Sequence, residues 1–120
     1  MESLLESRGD YLWLECRGEF DVAAARSIIV DVVAQANAQG IERVLADMRG
    51  ITTTVGIGER YDLASLLART SAARLRMAIL VEPHNAFTKT FENTATNRGL
   101  ALRTTTSLAE ARAFLGLKDS

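Results

Sequence analysis

The stretch Met77-Ala-Ile-Leu-Val81 is an unbroken apolar run in a chain of 120 residues. A run without polar alternation is typical of a strand that other elements cover on both faces, as in a parallel sheet. With Leu75 before it, the run predicts a buried strand over residues 75–81. It is far too short to cross a bilayer, which takes about 20 apolar residues.

Segments with helical periodicity alternate with further strand-like segments around this run. Apolar residues recur at intervals of three and four from Val22 to Gln39, with Asp21 placed as the N-cap and Gly40 as a left-handed C-terminal residue. The other predicted elements are a buried strand over Arg43–Met48, a helix over 59–72, a helix containing Phe87, Phe91 and Ala95, a strand over 100–105, and a short helix that begins with a capping box from Ser107 to Glu110.

The N-terminal segment predicts a hairpin. A strand over 11–16 follows a turn at 8–10 and a first strand at 2–7. Its alternation places Leu12, Leu14 and Cys16 on one face, and Tyr11, Trp13 and Glu15 on the other. The face with Tyr11 and Trp13 is either an exposed contact surface or covered by a helix, and the sequence leaves both alternatives open.

The predicted order of elements is therefore β-β-α-β-α-β-α-β-α. A hairpin followed by strand–helix alternation predicts an α/β fold with right-handed crossovers. We expect one domain over residues 1–120, with a mostly parallel, mixed five-stranded sheet and four helices.

The composition excludes several classes of protein. The chain is 48% apolar and 24% charged, has a formal net charge of −1, and contains one cysteine and one histidine. An intramolecular disulfide and a Cys/His zinc cluster are therefore excluded, and the balanced charge does not fit a nucleic-acid partner. From the lone cysteine and the lack of a recognisable signal sequence we expect a cytoplasmic protein, with no membrane insertion, metal or cofactor.

Functional groups of a parallel sheet gather where the carboxyl ends of its strands meet. The glycines that precede the second helix could hold a phosphate on the helix amides, or simply allow a tight turn. Their pattern matches neither a P-loop nor the dinucleotide fingerprint. The candidate partner- or ligand-binding residues along this edge are Asp21, Asp47, Arg49, Gly56, Gly58, Glu82, His84 and Asn85.

No set of residues predicts catalysis. A nucleophilic mechanism would need His84 beside Cys16 or a serine, but Cys16 falls on the apolar face of its strand. Asp47 and Glu82 end neighbouring strands, yet each is expected to cap a loop or to pair with Arg49 rather than to form an acid–base pair. We therefore predict that the protein is not an enzyme.

Four stretches resemble the STAS / SpoIIAA-like superfamily. They are the hairpin segment Tyr11–Asp21, the strand and turn Arg43–Thr52 with its Asp-x-x-Gly ending, the central strand Met77–Val81, and the terminal helix Thr106–Leu115. The resemblance covers almost the whole chain. It implies a small regulatory fold without enzymatic activity that binds a protein partner or associates with itself, for example as a homodimer. We expect the contact to be made through the strand edge or through the loop at residues 49–62.

The resemblance also implies a site of modification. In anti-sigma-factor antagonists of this superfamily a serine or threonine in the motif Asp-Ser-Ser-Gly-hydrophobic-Gly is phosphorylated, and the phosphate disrupts the complex with the partner. Gly56-Ile57-Gly58 matches the second half of that motif, whereas Thr53-Thr54-Val55 replaces the first half. The acidic residue is missing, which leaves Thr53 and Thr54 as the candidate hydroxyls.

The sequence resembles more closely a stand-alone SpoIIAA-like branch that lacks the phosphorylation motif and is similar in fold to lipid-transfer CRAL-TRIO domains. This likeness implies the alternative function, in which the protein binds or carries a small apolar ligand between helices and sheet. That alternative predicts an apolar cavity near Leu63, Leu67, Phe87 and Phe91.

Overall fold

The computed structural model describes residues 1–53, 56–71, 74–83 and 89–117, and within these ranges it contains five strands and four helices. The strands are β1 (Glu2–Ser7), β2 (Leu12–Gly18), β3 (Arg43–Ile51), β4 (Arg76–Leu80) and β5 (Ala101–Thr105). The helices are α1 (Val22–Gln39), α2 (Ile57–Thr70), α3 (Lys89–Asn97) and α4 (Leu108–Leu115). The predicted order of elements is confirmed.

The strands form one sheet in the order β1-β2-β3-β4-β5. β1 is antiparallel to β2, and every other neighbouring pair is parallel. Because β2 to β5 run parallel to one another, their carboxyl ends lie at one edge of the sheet. The α/β class and the mixed, mostly parallel sheet are thus as predicted.

Helices cover both faces of the sheet. α1, α2 and α3 share a core with Leu12, Leu14 and Cys16 on one face. On the other face α4 packs beside Tyr11 and Trp13 through Ala111 and Leu115. Tyr11 and Trp13 are buried, so the alternative in which a helix covers them is the correct one.

The cap predictions hold at α1 and in part at α4. The Asp21 carboxylate accepts hydrogen bonds from the Ala23 and Ala24 amides at 3.0 and 3.4 Å, and Gly40 ends α1 in the left-handed conformation. At α4 the Ser107 hydroxyl accepts from the Glu110 amide at 3.2 Å. The reciprocal half of the predicted box is wrong, because the Ser107 amide donates to Thr105 Oγ1 at 3.1 Å while Glu110 pairs with Arg103.

Two predicted boundaries were misplaced. β3 continues past Met48 to Ile51, because β2 shifts register after Glu15 and then pairs Arg17 and Gly18 with the last two residues of β3. α2 begins at Ile57 rather than at residue 59, since the carbonyl of Gly56 accepts the first helical hydrogen bond, from the Arg60 amide at 2.9 Å.

Among the described helices, none combines the length and the apolar character that a bilayer span requires.

Candidate functional site

Asp47 and Arg49 form an ion pair near the carboxyl end of β3. Arg49 Nε donates to Asp47 Oδ1 and Arg49 Nη2 to Oδ2, each at 3.0 Å, and the Arg49 amide donates to Oδ1 at 3.1 Å. Burial disfavours the charged carboxylate, but the hydrogen bonds from Arg49 outweigh it and hold the pKa of Asp47 below its ordinary value. The carboxylate is thereby fixed in its ionised form, which does not suit a general acid.

Glu82 comes directly after β4 and is partly buried. The hydrogen bond to Asp47 is the main cause that raises the pKa of Arg49, and the charges of Glu82 and Glu15 add to it. Glu82 therefore lies within electrostatic reach of Arg49 at the predicted edge. His84 and Asn85, the other two candidates predicted there, lie outside the described residues.

Two loops at this edge are joined through Thr53. Thr53 Oγ1 accepts a hydrogen bond from the Phe20 amide at 2.9 Å, and the Thr52 amide donates to the Gly18 carbonyl at 3.0 Å. The loop after β2 and the loop after β3 therefore hold each other in place. The hydroxyl of Thr53, one of the two predicted phosphorylation candidates, accepts this bond, whereas Thr54 lies outside the described residues. Modification of either residue stays a prediction.

The first turn of α2 exposes apolar surface. Ile57 is 69% and Tyr61 48% exposed, and as residues four apart they lie on the same side of the helix. We refer to this pair as the α2 patch. Arg98 Nη2 donates to the Tyr61 hydroxyl at 3.0 Å, which connects the patch to the end of α3. Both side chains fall within the segment 49–62 that the sequence predicted for binding, although only the glycines Gly56 and Gly58 were singled out there.

An apolar cavity of about 130 Å³ lies between the sheet and the helices α1, α2 and α3. Leu63, Leu67 and Phe91 line it, as the alternative function predicted, whereas Phe87 lies outside the described residues. Ile79 lines the cavity from the middle of β4 and is only partly buried.

Two described side chains with nitrogen or oxygen atoms line this cavity, Arg60 and Thr104. Arg60 is only 6% exposed, although arginine is rarely so deeply buried. Sequence reasoning missed it. The signal was present, because Arg60 shares its helical spacing with Leu63, Ala64 and Leu67, which together form the buried face of α2.

Cys16 also lines the cavity. Burial raises the pKa of its thiol to about 11, and the charges of Asp47 and Glu15 contribute to the rise. The thiol is therefore neutral near pH 7, as expected for a core side chain and not for a nucleophile.

Within the described ranges, no group of three or more His, Cys, Asp and Glu side chains is placed to hold a metal ion. Asp21, predicted at the binding edge, is engaged in capping α1. Of the residues predicted at this edge, Asp47, Arg49 and Glu82 therefore interact electrostatically. Asp21 and Gly56 instead occupy the N-cap positions of α1 and α2.

No protein-family model and no curated protein match the sequence. Solved structures do share its fold. An anti-sigma factor antagonist from Mycobacterium paratuberculosis has a TM-score of 0.68 at 14% identity, covering 96% of this chain and 93% of that one. The anti-sigma factor antagonist SpoIIAA in its unphosphorylated form has a TM-score of 0.58 at 12% identity, covering 98% and 100%. The chain therefore has the SpoIIAA-like, or STAS, fold that its sequence resembles.

Proposed function

We propose that this chain is a non-catalytic regulatory module of the cytoplasm that acts by binding another protein through the α2 patch. The observation that carries the proposal is the exposure of Ile57 and Tyr61 beside the edge where the strand ends meet. Exposed apolar side chains grouped with polar neighbours mark interaction surfaces. Tyrosine and arginine, here Tyr61 and Arg98, are also the residue types that contribute most to binding energies at interfaces.

The fold neighbours support a partner of a particular kind. Both are anti-sigma factor antagonists, so each acts on a regulatory protein. By analogy of fold we propose that the partner of this chain is also a regulatory protein, and that a second copy of the chain is the other occupant of the patch to be tested. Full burial of Ile57 in such an interface would contribute about 1.5–3 kcal/mol.

Phosphorylation of Thr53 or Thr54 is the form of regulation that we propose for this surface. At Thr53 the phosphate would be attached to the hydroxyl oxygen that accepts from the Phe20 amide, and it would place about two negative charges a few residues before Ile57. The added charge would weaken binding at an apolar patch.

Site-specific photo-crosslinking tests the proposal. A photoreactive amino acid at position 57 is compared with the same group at position 108, in cells of the source organism. Leu108 is the matched control, because it is 40% exposed, is also the first residue of a helix, and lies on the opposite face of the sheet. We expect position 57, and not position 108, to capture one defined protein.

Binding to the purified captured protein completes the test. Ile57→Asp should weaken binding at least about tenfold, and Leu108→Asp should leave it unchanged. An acidic residue in the first turn of a helix is favoured by the helix dipole, so both variants should fold. Capture of equal sets of proteins at both positions, or no capture at position 57, would overturn the proposal. Capture of a second copy of the chain supports it in its homodimer form.

The cavity favours a second candidate function, the binding of a small apolar ligand. Leu63, Leu67 and Phe91 line about 130 Å³ of apolar space. Apolar cavities of about 150 Å³ in proteins take up molecules such as benzene. The size and the lining therefore suit a ligand with an apolar body of about six carbon atoms.

A further inference from the structure

The two outer strands of the sheet, β1 and β5, differ in whether their open sides are covered. On β5 the amide of Thr104 donates to the carboxylate of Glu92 in α3 at 3.1 Å. The helix thereby occupies a backbone donor that another strand could otherwise use. Within the described part of the chain, no side chain of another element forms such a bond with the backbone of β1.

Alternate residues of β1 direct their backbone groups away from β2. The Arg8 amide, just after the strand, donates to the Tyr11 carbonyl at 2.9 Å. Residue pairs of an antiparallel ladder alternate between hydrogen-bonded and non-hydrogen-bonded pairs, so the even-numbered residues of β1 bond to β2. The odd-numbered residues, whose N–H and C=O groups therefore point to the open side, are Ser3, Leu5 and Ser7.

The sequence of β1 lacks most of the features that keep an outer strand from pairing. Proteins protect such strands with proline, lysine or a β-bulge. β1 reads Glu-Ser-Leu-Leu-Glu-Ser, contains neither proline nor lysine, and pairs with β2 in an unbroken register. Leu4, near its centre, is 50% exposed. β1 is therefore suited to pairing with a further strand.

We propose that this further strand is β1 of a second copy of the chain, antiparallel to the first about a two-fold axis beside Leu5, so that one sheet continues through both copies. Directly opposed residues of such a pair lie on the same face of the sheet, which leaves registers centred on Leu4 or on Leu5. Leu5 is opposed to itself and Ser3 to Ser7 in the second register, and their open backbone groups bond to each other.

Charge complementarity selects the register centred on Leu5. A centre at Leu4 would oppose Glu2 to Glu6 of the second copy, and like charges directly opposed are destabilising. A centre at Leu5 instead opposes Glu2 to Arg8 of the second copy. Glu2 is exposed and forms no ion pair with any described residue, so it gains a partner of opposite charge. The strand is therefore complementary to itself in this register.

Disulfide cross-linking of the full chain tests the register. Ser3→Cys and Ser7→Cys alter two exposed side chains, and opposed hydrogen-bonded residues have Cα atoms about 5.5 Å apart, within the range of a disulfide. Under mild oxidation we expect cross-linked dimers when the two variants are mixed, and none from either variant alone. The wild type should not cross-link, because Cys16 is buried. Equal cross-linking of a single variant and of the mixture would overturn the inference.

Sedimentation equilibrium measures the dimer without a cross-link. Ser3→Pro removes an amide on the open side of β1 and none that bonds to β2, where proline is tolerated, so the variant should fold and dimerise about ten- to a hundredfold more weakly. Ser3→Ala keeps the amide and should match the wild type. Ile57→Asp, which alters the α2 patch, should also leave the dimer unchanged, so this inference and the proposed function fail separately.

Three outcomes would overturn the inference. They are a wild type that stays monomeric at every concentration, equal dimerisation of Ser3→Pro and Ser3→Ala, and a dimer that Ile57→Asp abolishes. The last of these would place the contact between copies at the α2 patch instead of β1.

Discussion

The guanidinium of Arg49 holds the carboxylate of Asp47 through two hydrogen bonds of 3.0 Å. The two residues are two positions apart on β3, so their side chains leave the same face of the sheet. The Asp47 side chain is buried, and its ion-pair partner Arg49 is partly exposed. The guanidinium therefore stabilises the negative charge of the buried carboxylate at the sheet edge where the strand ends meet.

Removal of Arg49 should destabilise the fold. Arg49→Met leaves the buried Asp47 carboxylate without its guanidinium, which should lower the free energy of unfolding by about 1–3 kcal/mol. The matched control is Arg43→Met, because Arg43 forms a 3.2 Å pair with the exposed Asp10. An exposed pair contributes only about 0–1 kcal/mol. Urea denaturation measures both, and equal losses would contradict a special role for the buried pair.

The same pair should make stability depend on acid pH. The pKa of Asp47 is lowered in the folded protein, so the unfolded chain binds the proton more readily. The stabilisation is therefore fully present above the ordinary carboxyl pKa, about 4, and is lost as the pH falls through the lower folded value. We expect the difference in unfolding free energy between the wild type and Asp47→Asn to be constant near neutral pH and to shrink in acid. A difference that grows in acid would contradict this.

Two glycines that belong to the same stretch of sequence should respond in opposite ways to alanine. A Cβ on Gly50 would lie 2.8 Å from Arg17 Cγ and 2.9 Å from the Cys16 carbonyl oxygen, and the backbone atom cannot move easily. Gly50→Ala should cost about 1–3 kcal/mol of stability. Gly58 lies in α2, and no atom of the described residues comes within 4 Å of an added Cβ, so Gly58→Ala should stabilise by up to about 1 kcal/mol. Urea midpoints of the two variants check the prediction, and a shift in the same direction would contradict it.

The fold could be predicted because its signals are local. All the signals that define α1 lie in or next to its own segment. They are the spacing of its apolar residues, the N-cap Asp21 and the C-cap Gly40. The extension of β3 to Ile51 could not be predicted in this way, since it depends on a register shift in β2 more than thirty residues earlier. The burial of Trp13 likewise depends on where α4 packs and on Arg8, whose guanidinium lies 4.2 Å from the Trp13 ring centre.

The candidate site could be predicted only in part. Leu63, Leu67 and Phe91 followed from helical periodicity, and Arg60 could have been found from the same pattern. The cavity itself has no sequence signal, because its volume depends on how closely three helices approach the sheet. The exposure of Ile57 likewise depends on tertiary packing, because it is set by which side of α2 the neighbouring elements leave uncovered.

The Cys16 thiol should resist ionisation in the folded protein. Burial raises its pKa to about 11, so the thiolate absorbance of the folded protein should develop only in strong alkali. In the unfolded chain the absorbance should develop near the ordinary thiol pKa of about 8.5. The raised pKa stabilises the fold below the unfolded value, and that stabilisation is lost as the pH rises through the folded one. Between these two pKa values, the free energy of unfolding of the wild type should therefore fall relative to that of the non-titrating variant Cys16→Ala. Titration of the native thiol at its ordinary pH would refute the prediction.

Thr53 should order the loop after β2 through its hydroxyl. Thr53→Val preserves the shape of the side chain but removes the acceptor of the 2.9 Å hydrogen bond from the Phe20 amide, which should cost about 0.5–1.5 kcal/mol. Thr53→Ser keeps the hydroxyl and is the matched control. Hydrogen exchange at the Phe20 amide measures the bridge directly, because an amide that loses its acceptor exchanges faster. Faster exchange in Thr53→Val than in Thr53→Ser is expected, and equal rates would show that this hydroxyl does not join the two loops.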